Sequence, residues 1–214
     1  KGTAQTARKL ARPLLRAPLP WPIRLEALNH LTMVAAYPMA FLLALLLPPS
    51  IVARASLLSD DWLWLDALAV IATTGSISIF YGQALVRGGN SLLARWWEIP
   101  VAMAVGIGCS ASQTLAVIEG LLSDDATFTR TPKKGGEGHA TVVPDVPWLR
   151  AAVTSATALY LSAALAWAIV QGWWSSLPFM LLFAGGFVSV SFRLWLEGQR
   201  AVESAEMGAL PATK

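Results

Sequence analysis

Five stretches of this chain contain no Asp, Glu, Lys or Arg: Leu31–Leu47, Ala67–Val86, Ile99–Ile118, Ala151–Gly172 and Trp173–Phe192. A helix needs about 20 predominantly apolar residues to cross about 30 Å of hydrocarbon, where every backbone N–H and C=O must be satisfied within the segment. The first stretch reaches that length when Leu25–His30 continues its helix. The last two abut, so Gln171-Gly172-Trp173-Trp174-Ser175 is expected to be a tight turn and the pair an antiparallel helical hairpin. Nine of the ten tryptophans (Trp21, Trp62, Trp64, Trp96, Trp97, Trp148, Trp173, Trp174 and Trp195) fall at the ends of these stretches, and only Trp167 lies well inside one. An indole favours those positions because its ring is buried while its N–H stays wet. Composition agrees. Charged residues are 14% of the chain, against about 25% in soluble domains, which leaves too little polar surface to coat a globule. Disordered chains and nucleic-acid modules are excluded, because the basic residues behind the net charge of +3 punctuate apolar runs instead of forming one patch. The single cysteine, Cys109, excludes a disulfide framework and a CxxC-type zinc site.

Five stretches need not be five crossings, and basic residues, which concentrate on the cytoplasmic side, arbitrate. If all five cross, the 16 Lys and Arg divide eight to eight. If 96–122 instead lies along the cytoplasmic interface or re-enters there, only Arg54 is left outside. That segment also carries Glu98, Pro100, Gly106, Gly108, Ser110, Ser112, Gln113 and Glu119, which is polar and small for a lipid-facing span. The expectation is therefore an all-α integral membrane fold. It has four transmembrane helices, an N-terminal amphipathic interfacial helix and a second interfacial or re-entrant helix.

The N-terminal region, 1–24, reads as that amphipathic helix and a linker. Lys1, Gln5, Arg8, Lys9, Arg12 and Arg16 recur at helical spacing, while Ala4, Ala7, Leu10, Ala11, Leu14 and Leu15 fall mostly on the other face. A solvated helix belonging to a soluble domain is the other reading of this pattern. Pro13 is expected to kink or end the helix, with Pro18–Pro22 an extended link. Residues 25–122 then hold crossings at about 25–47 and 63–86 and the helix at about 96–122. A cytoplasmic loop at 123–149, the hairpin at 150–198 and a cytoplasmic tail at 199–214 complete the chain. With no initiating Met and no signal-type apolar core, the sequence is expected to begin inside a longer polypeptide.

The most informative polar segment is Ser123-Asp124-Asp125-Ala126-Thr127-Phe128-Thr129-Arg130-Thr131-Pro132-Lys133-Lys134. Phe128-Thr129-Arg130-Thr131-Pro132-Lys133 resembles the FxVTxK gating loop of cellulose synthases and related processive family 2 glycosyltransferases, with Arg130 in place of valine. It is also similar to the FxRTPK form of bacterial mannan- and glucan-synthase-like enzymes. Lys1-Gly2-Thr3-Ala4-Gln5-Thr6-Ala7-Arg8-Lys9-Leu10 resembles the segment after their QxxRW motif, and the order of helices fits as well.

The resemblance implies the membrane portion of an inverting transferase. Such an enzyme moves hexose from UDP-glucose or GDP-mannose onto a growing β-glycan or lipid acceptor in the bacterial cytoplasmic membrane, with both termini cytoplasmic. It further implies that the catalytic domain, with its DxD, its base and a bound Mg or Mn, lies before Lys1, so this portion holds no catalytic residue, metal or cofactor and is inactive alone. Its implied partners are membrane lipids, the nucleotide sugar, the acceptor and that catalytic domain, with no nucleic acid among them.

The loop chemistry suits the implied role. Arg130, Lys133 and Lys134 can meet diphosphate oxygens, Thr131 can hydrogen-bond a phosphate, and Phe128 can cover the base, with Pro132 completing the motif. Gly135, Gly136 and Gly138 give freedom to swing. Anchoring to anionic lipid headgroups is the alternative use of the same charges. A non-enzymatic small membrane protein, such as a transporter subunit or scaffold, is the alternative for the whole chain.

Other candidates read as structural. His30 with Glu26 one turn before it suits a helix-end hydrogen bond better than an intramembrane ion pair. His139 has no metal-ligand companions, and neither Asp60-Asp61 nor Asp124-Asp125 has DxD spacing. Asp66 reads as an interfacial carboxylate. Gly106-Ile107-Gly108 suits close helix packing. Phe80, Tyr81, Tyr160 and Trp167 are open to sugar stacking or to packing.

Overall fold

Proline sets the boundaries at the start of the chain. In the computed structural model, which describes residues 1–57, 63–123 and 148–209, helix α1 (Gly2–Arg16) runs through Pro13 and closes at Ala17, whose backbone is extended. Pro13 lies close enough to the C-terminal end that one turn follows it, with the Ala17 N–H bonding back to Leu14. Helix α2 (Trp21–Thr32) carries Pro22 in its first turn, where a missing N–H costs nothing. A 3-10 turn, Met33–Ala35, then leads into α3 (Ala36–Leu57). Pro38 explains the tightening, because it cannot donate to the Val34 carbonyl four residues back.

Helix α4 (Leu63–Arg87) is followed by the short α5 (Leu92–Arg95) and by α6 (Glu98–Leu122). Helices α7 (Trp148–Val170) and α8 (Leu177–Ala209) form the expected antiparallel hairpin. Its turn is a Schellman cap. Gly172 adopts φ +72°, its N–H bonds the Ile169 carbonyl at 3.1 Å, and the Trp173 N–H bonds Ala168 at 3.0 Å. The Ser155 and Ser191 hydroxyls lie 2.7 Å apart across the hairpin.

Among the described residues, four helices are long and apolar enough to cross a membrane: Trp21–Ser56, Glu98–Leu122, Trp148–Val170 and Trp174–Gln199. The described structure is all-helical and carries the spans a multi-pass membrane protein requires.

The core sets four alanines against two phenylalanines and a leucine. Ala44, Ala111, Ala158, Leu161, Phe183, Ala184 and Phe187 form it, with the Phe41 and Phe187 rings 6.4 Å apart. At the α6–α8 crossing a Cβ on Gly186 would lie 2.2 Å from the Ala104 carbonyl, and one on Gly108 would lie 2.2 Å from Gly186 O and 2.8 Å from Val190. Ascending residues of α6 thus meet ascending residues of α8, so the two run parallel. Because α7 and α8 are antiparallel, α6 opposes α7. The packing expected of Gly106-Ile107-Gly108 is carried by Gly108, whereas Gly106 faces open space.

The segment expected to be interfacial or re-entrant, 96–122, contains one uninterrupted 25-residue helix, not two arms joined by a turn. It packs against α3, α7 and α8, and Gly108, Ser110, Ala111, Thr114 and Ala116 are buried. Of the small and polar residues that looked unsuited to lipid, Gly108 and Ser110 face protein, whereas Pro100, Gly106, Gln113 and Glu119 stay exposed. Helix α4 forms over the expected range but lies at the edge, packed against α5 and α6 among the described residues.

Candidate functional site

The basic helix at the N-terminus finds its partner at the last turn of α6. A helix ends with unsatisfied carbonyls carrying partial negative charge, so a cation is favoured there and a carboxylate is not. Here α6 ends in Glu119-Gly120-Leu121-Leu122, and the misplaced acid is neutralised from both sides. Lys1 Nζ lies 2.7 Å from Glu119 Oε1, and Arg150 Nη2 lies 3.0 Å from Oε2. Lys1 belongs to the start of the chain and Arg150 to the first turn of α7, so one carboxylate ties three helices together.

The free carbonyls are capped by α1 as well. Arg8 donates to Leu121 O at 2.8 Å and to Ser123 O at 3.5 Å, and Gln5 Nε2 donates to Ser123 O at 3.3 Å. Between these polar contacts Ala4 is fully buried. It sits over Gly120, where a Cβ would lie 2.5 Å from Lys1 O and 3.0 Å from Ala4 Cβ. Lys1, Ala4, Gln5 and Arg8 follow the i, i+3, i+4, i+7 spacing of one helix face. That face docks on α6, while Leu10 and Leu15 stay half exposed on another part of the helix.

Of the residues expected on the N-terminal helix, Lys1, Gln5 and Arg8 therefore converge on one site, and Gly2 and Lys9 remain exposed. Sequence reasoning missed Glu119, Gly120 and Arg150 as their receptors. The available signal was Glu119 itself, an acid in the last turn of a helix and in need of a cation.

The expected gating residues Phe128, Arg130, Thr131, Pro132 and Lys133 lie outside the described residues, as do Lys134, His139, Gly135, Gly136, Gly138 and both aspartate pairs. The residues that flank segment 124–147 are described. Ser123 is held by α1, and Trp148 opens the helix whose Arg150 meets Glu119. Both ends of the segment thus open beside α1, at one end of the bundle.

The aromatic candidates do not share one site. Phe80 and Tyr81 pair edge to face on α4, with Phe80 70% exposed. The Tyr160 hydroxyl donates to Leu45 O at 3.0 Å and joins α7 to α3. Trp167 packs on Trp173 at the hairpin turn. Glu26 and His30 are both exposed on α2, and no ion pair joins them. Among the described residues, no three His, Cys, Asp or Glu side chains come together as a metal site. No protein-family model matches this chain, and neither does any curated protein or solved structure.

Proposed function

We propose that this chain is the membrane-embedded part of a processive, inverting family 2 glycosyltransferase, with both termini on the cytoplasmic face of a bacterial inner membrane. The observation that carries the reading is the hexapeptide Phe128–Lys133, in a segment whose two flanks open beside a basic helix. In this reading a hydroxyl of the growing glycan or lipid acceptor forms the new C–O bond at the anomeric carbon of the donor sugar, its proton passing to the base of the implied catalytic domain, as the bond from that carbon to the nucleoside diphosphate breaks. The leaving diphosphate carries its charge toward Arg130, Lys133 and Lys134. Arg130 and the two lysines offset that charge, Thr131 donates a hydrogen bond, and Phe128 covers the base. The four apolar helices frame the path of the product. The divalent cation implied by the resemblance belongs with the DxD expected before Lys1. No donor set for it forms among the described residues, and no step here runs through it.

The distribution of basic residues supports the orientation. With these four apolar helices as the crossings, and α4 left out although 63–86 reads as a crossing in the sequence, only Arg54, Arg87 and Arg95 of the 16 Lys and Arg fall on the side away from α1. The remaining 13 include every basic residue of segment 124–147. That segment shares the side of α1 in this arrangement and in the one with 96–122 at the interface.

The test uses the whole polypeptide encoded with this chain, in membranes, with radiolabelled UDP-glucose and GDP-mannose. Transfer from one of them is expected, and Thr131→Ala and Lys133→Ala are each expected to lower turnover by at least tenfold, the equivalent of about 1.4 kcal/mol, without reducing membrane insertion. Wild-type rates in both variants would remove the gating role. A cysteine introduced by Gly136→Cys should resist an impermeant thiol reagent in intact cells, and labelling from outside would overturn the orientation.

A further inference from the structure

At the end of α6 away from α1, the helix start, α5 and the last turns of α4 enclose an open groove of about 730 Å³. Its size lies within the range of small-molecule sites, about 300–1,000 Å³. One wall is a single face of α4, with Ile79, Gly82 and Val86 along it. The other is formed by Leu92, Trp96 and Ile99. Gly82 is buried at the floor, where a Cβ would stand 3.5 Å from Leu92 Cδ1, so the width of the groove depends on the missing side chain.

The groove is apolar for most of its length and cationic at one end. Arg87, the last residue of α4, stands at that end, with Gln83 one turn before it on the same wall. Nearby Arg95 is already engaged by Glu98 and by Asn90 Oδ1 at 2.6 Å. Arg87 has no hydrogen bond or ion pair to any of the described residues. Trp96, 62% exposed, lines the same groove, and indoles are favoured where hydrocarbon gives way to headgroups. An apolar slot that ends in an uncompensated guanidinium and an indole has the polarity of one lipid class, with its acyl chain below and its phosphate above.

We propose that this groove binds an anionic phospholipid, with one acyl chain against Ile79, Gly82 and Val86 and the phosphate on Arg87. The preference is for net negative charge, because in a zwitterionic lipid the headgroup amine offsets the phosphate that Arg87 would meet. The site is independent of the transferase reading and stands if that reading fails.

Native mass spectrometry of the delipidated chain, offered equal phosphatidylglycerol and phosphatidylcholine of the same acyl length, tests it. Wild type is expected to retain phosphatidylglycerol over phosphatidylcholine by about fivefold, the effect of one basic residue near a headgroup. Arg87→Gln should bring the two lipids to parity, and Arg87→Lys should keep most of the preference. Gly82→Leu should lower retention of both by filling the floor. Equal retention by wild type overturns the proposal without any variant, as does a preference that survives in Arg87→Gln. Unchanged retention in a Gly82→Leu protein of wild-type helicity would remove the acyl chain from the groove.

Discussion

Helices α4 and α6 are each 25 residues long and each dominated by an uncharged apolar run, yet one lies at the edge of the bundle and the other at its centre. Both carry ten Gly, Ala, Ser or Thr, so the difference is not in their number but in which of them meet a neighbouring helix. Helix α6 turns Gly108, Ser110, Ala111 and Thr114 toward its neighbours and buries them. Helix α4 presents Ile71, Ile79 and Phe80, which are 63–70% exposed. Lipid tails are as apolar as leucine, so large side chains gain little by leaving them. Backbones that can approach closely gain packing that lipid cannot supply. Hydropathy qualifies a helix for the bilayer, and what it packs against depends on whether its small residues meet a complementary backbone, as Gly108 meets Gly186.

The widest separation between the two helices should come from glycine replacements. Gly186→Ala places a methyl 2.2 Å from the Ala104 carbonyl of α6. It is expected to cost about 3 kcal/mol, the upper part of the overpacking range, and to lower the thermal midpoint sharply. Gly75→Ala on α4 meets nothing within 4 Å and should stabilise by about 0.5–1 kcal/mol through helix propensity. Equal effects at the two sites would end the contrast. A smaller effect is expected at the other end of α6. Gly120→Ala pushes against Lys1 O at 2.5 Å, where α1 can shift, and should cost about 1 kcal/mol. Its reporter is faster amide exchange in α1 with exchange in α8 unchanged. The smallest effect belongs to Glu119→Gln. The carboxylate is half exposed, so losing both ion pairs should cost about 0.5–1 kcal/mol at low ionic strength and almost nothing in molar salt. A salt-independent loss would show that the ion pairs are not what holds α1.

The same contrast explains what was legible in the sequence. The hairpin turn was readable because Gln171-Gly172 interrupts two apolar runs that no helix could span as one, and Gly172 supplies the positive φ that the turn needs. The amphipathic start of the chain was readable from its charge spacing. The burial of α6 was not, because the residues that make a helix poor at facing lipid also make it good at facing other helices. Counting basic residues could not separate those uses, since with α6 crossing the split is eight to eight if α4 crosses too and 13 to three if it does not. At the α1 junction three of the six residues read as the polar face of the helix, Lys1, Gln5 and Arg8, converge. Their receptors lie over a hundred residues away, a separation no local periodicity can bridge.

One carboxylate, Glu119, stands four residues before Ser123 and meets an arginine two residues after Trp148. The connection between them therefore leaves and returns at one point, and the cost of bringing its ends together is already met by the bundle. Chain-closure entropy grows only with the logarithm of length, about 0.6 kcal/mol for each doubling. The scaffold is thus nearly indifferent to how long this connection is, and its length and composition are free to be set by whatever it contacts.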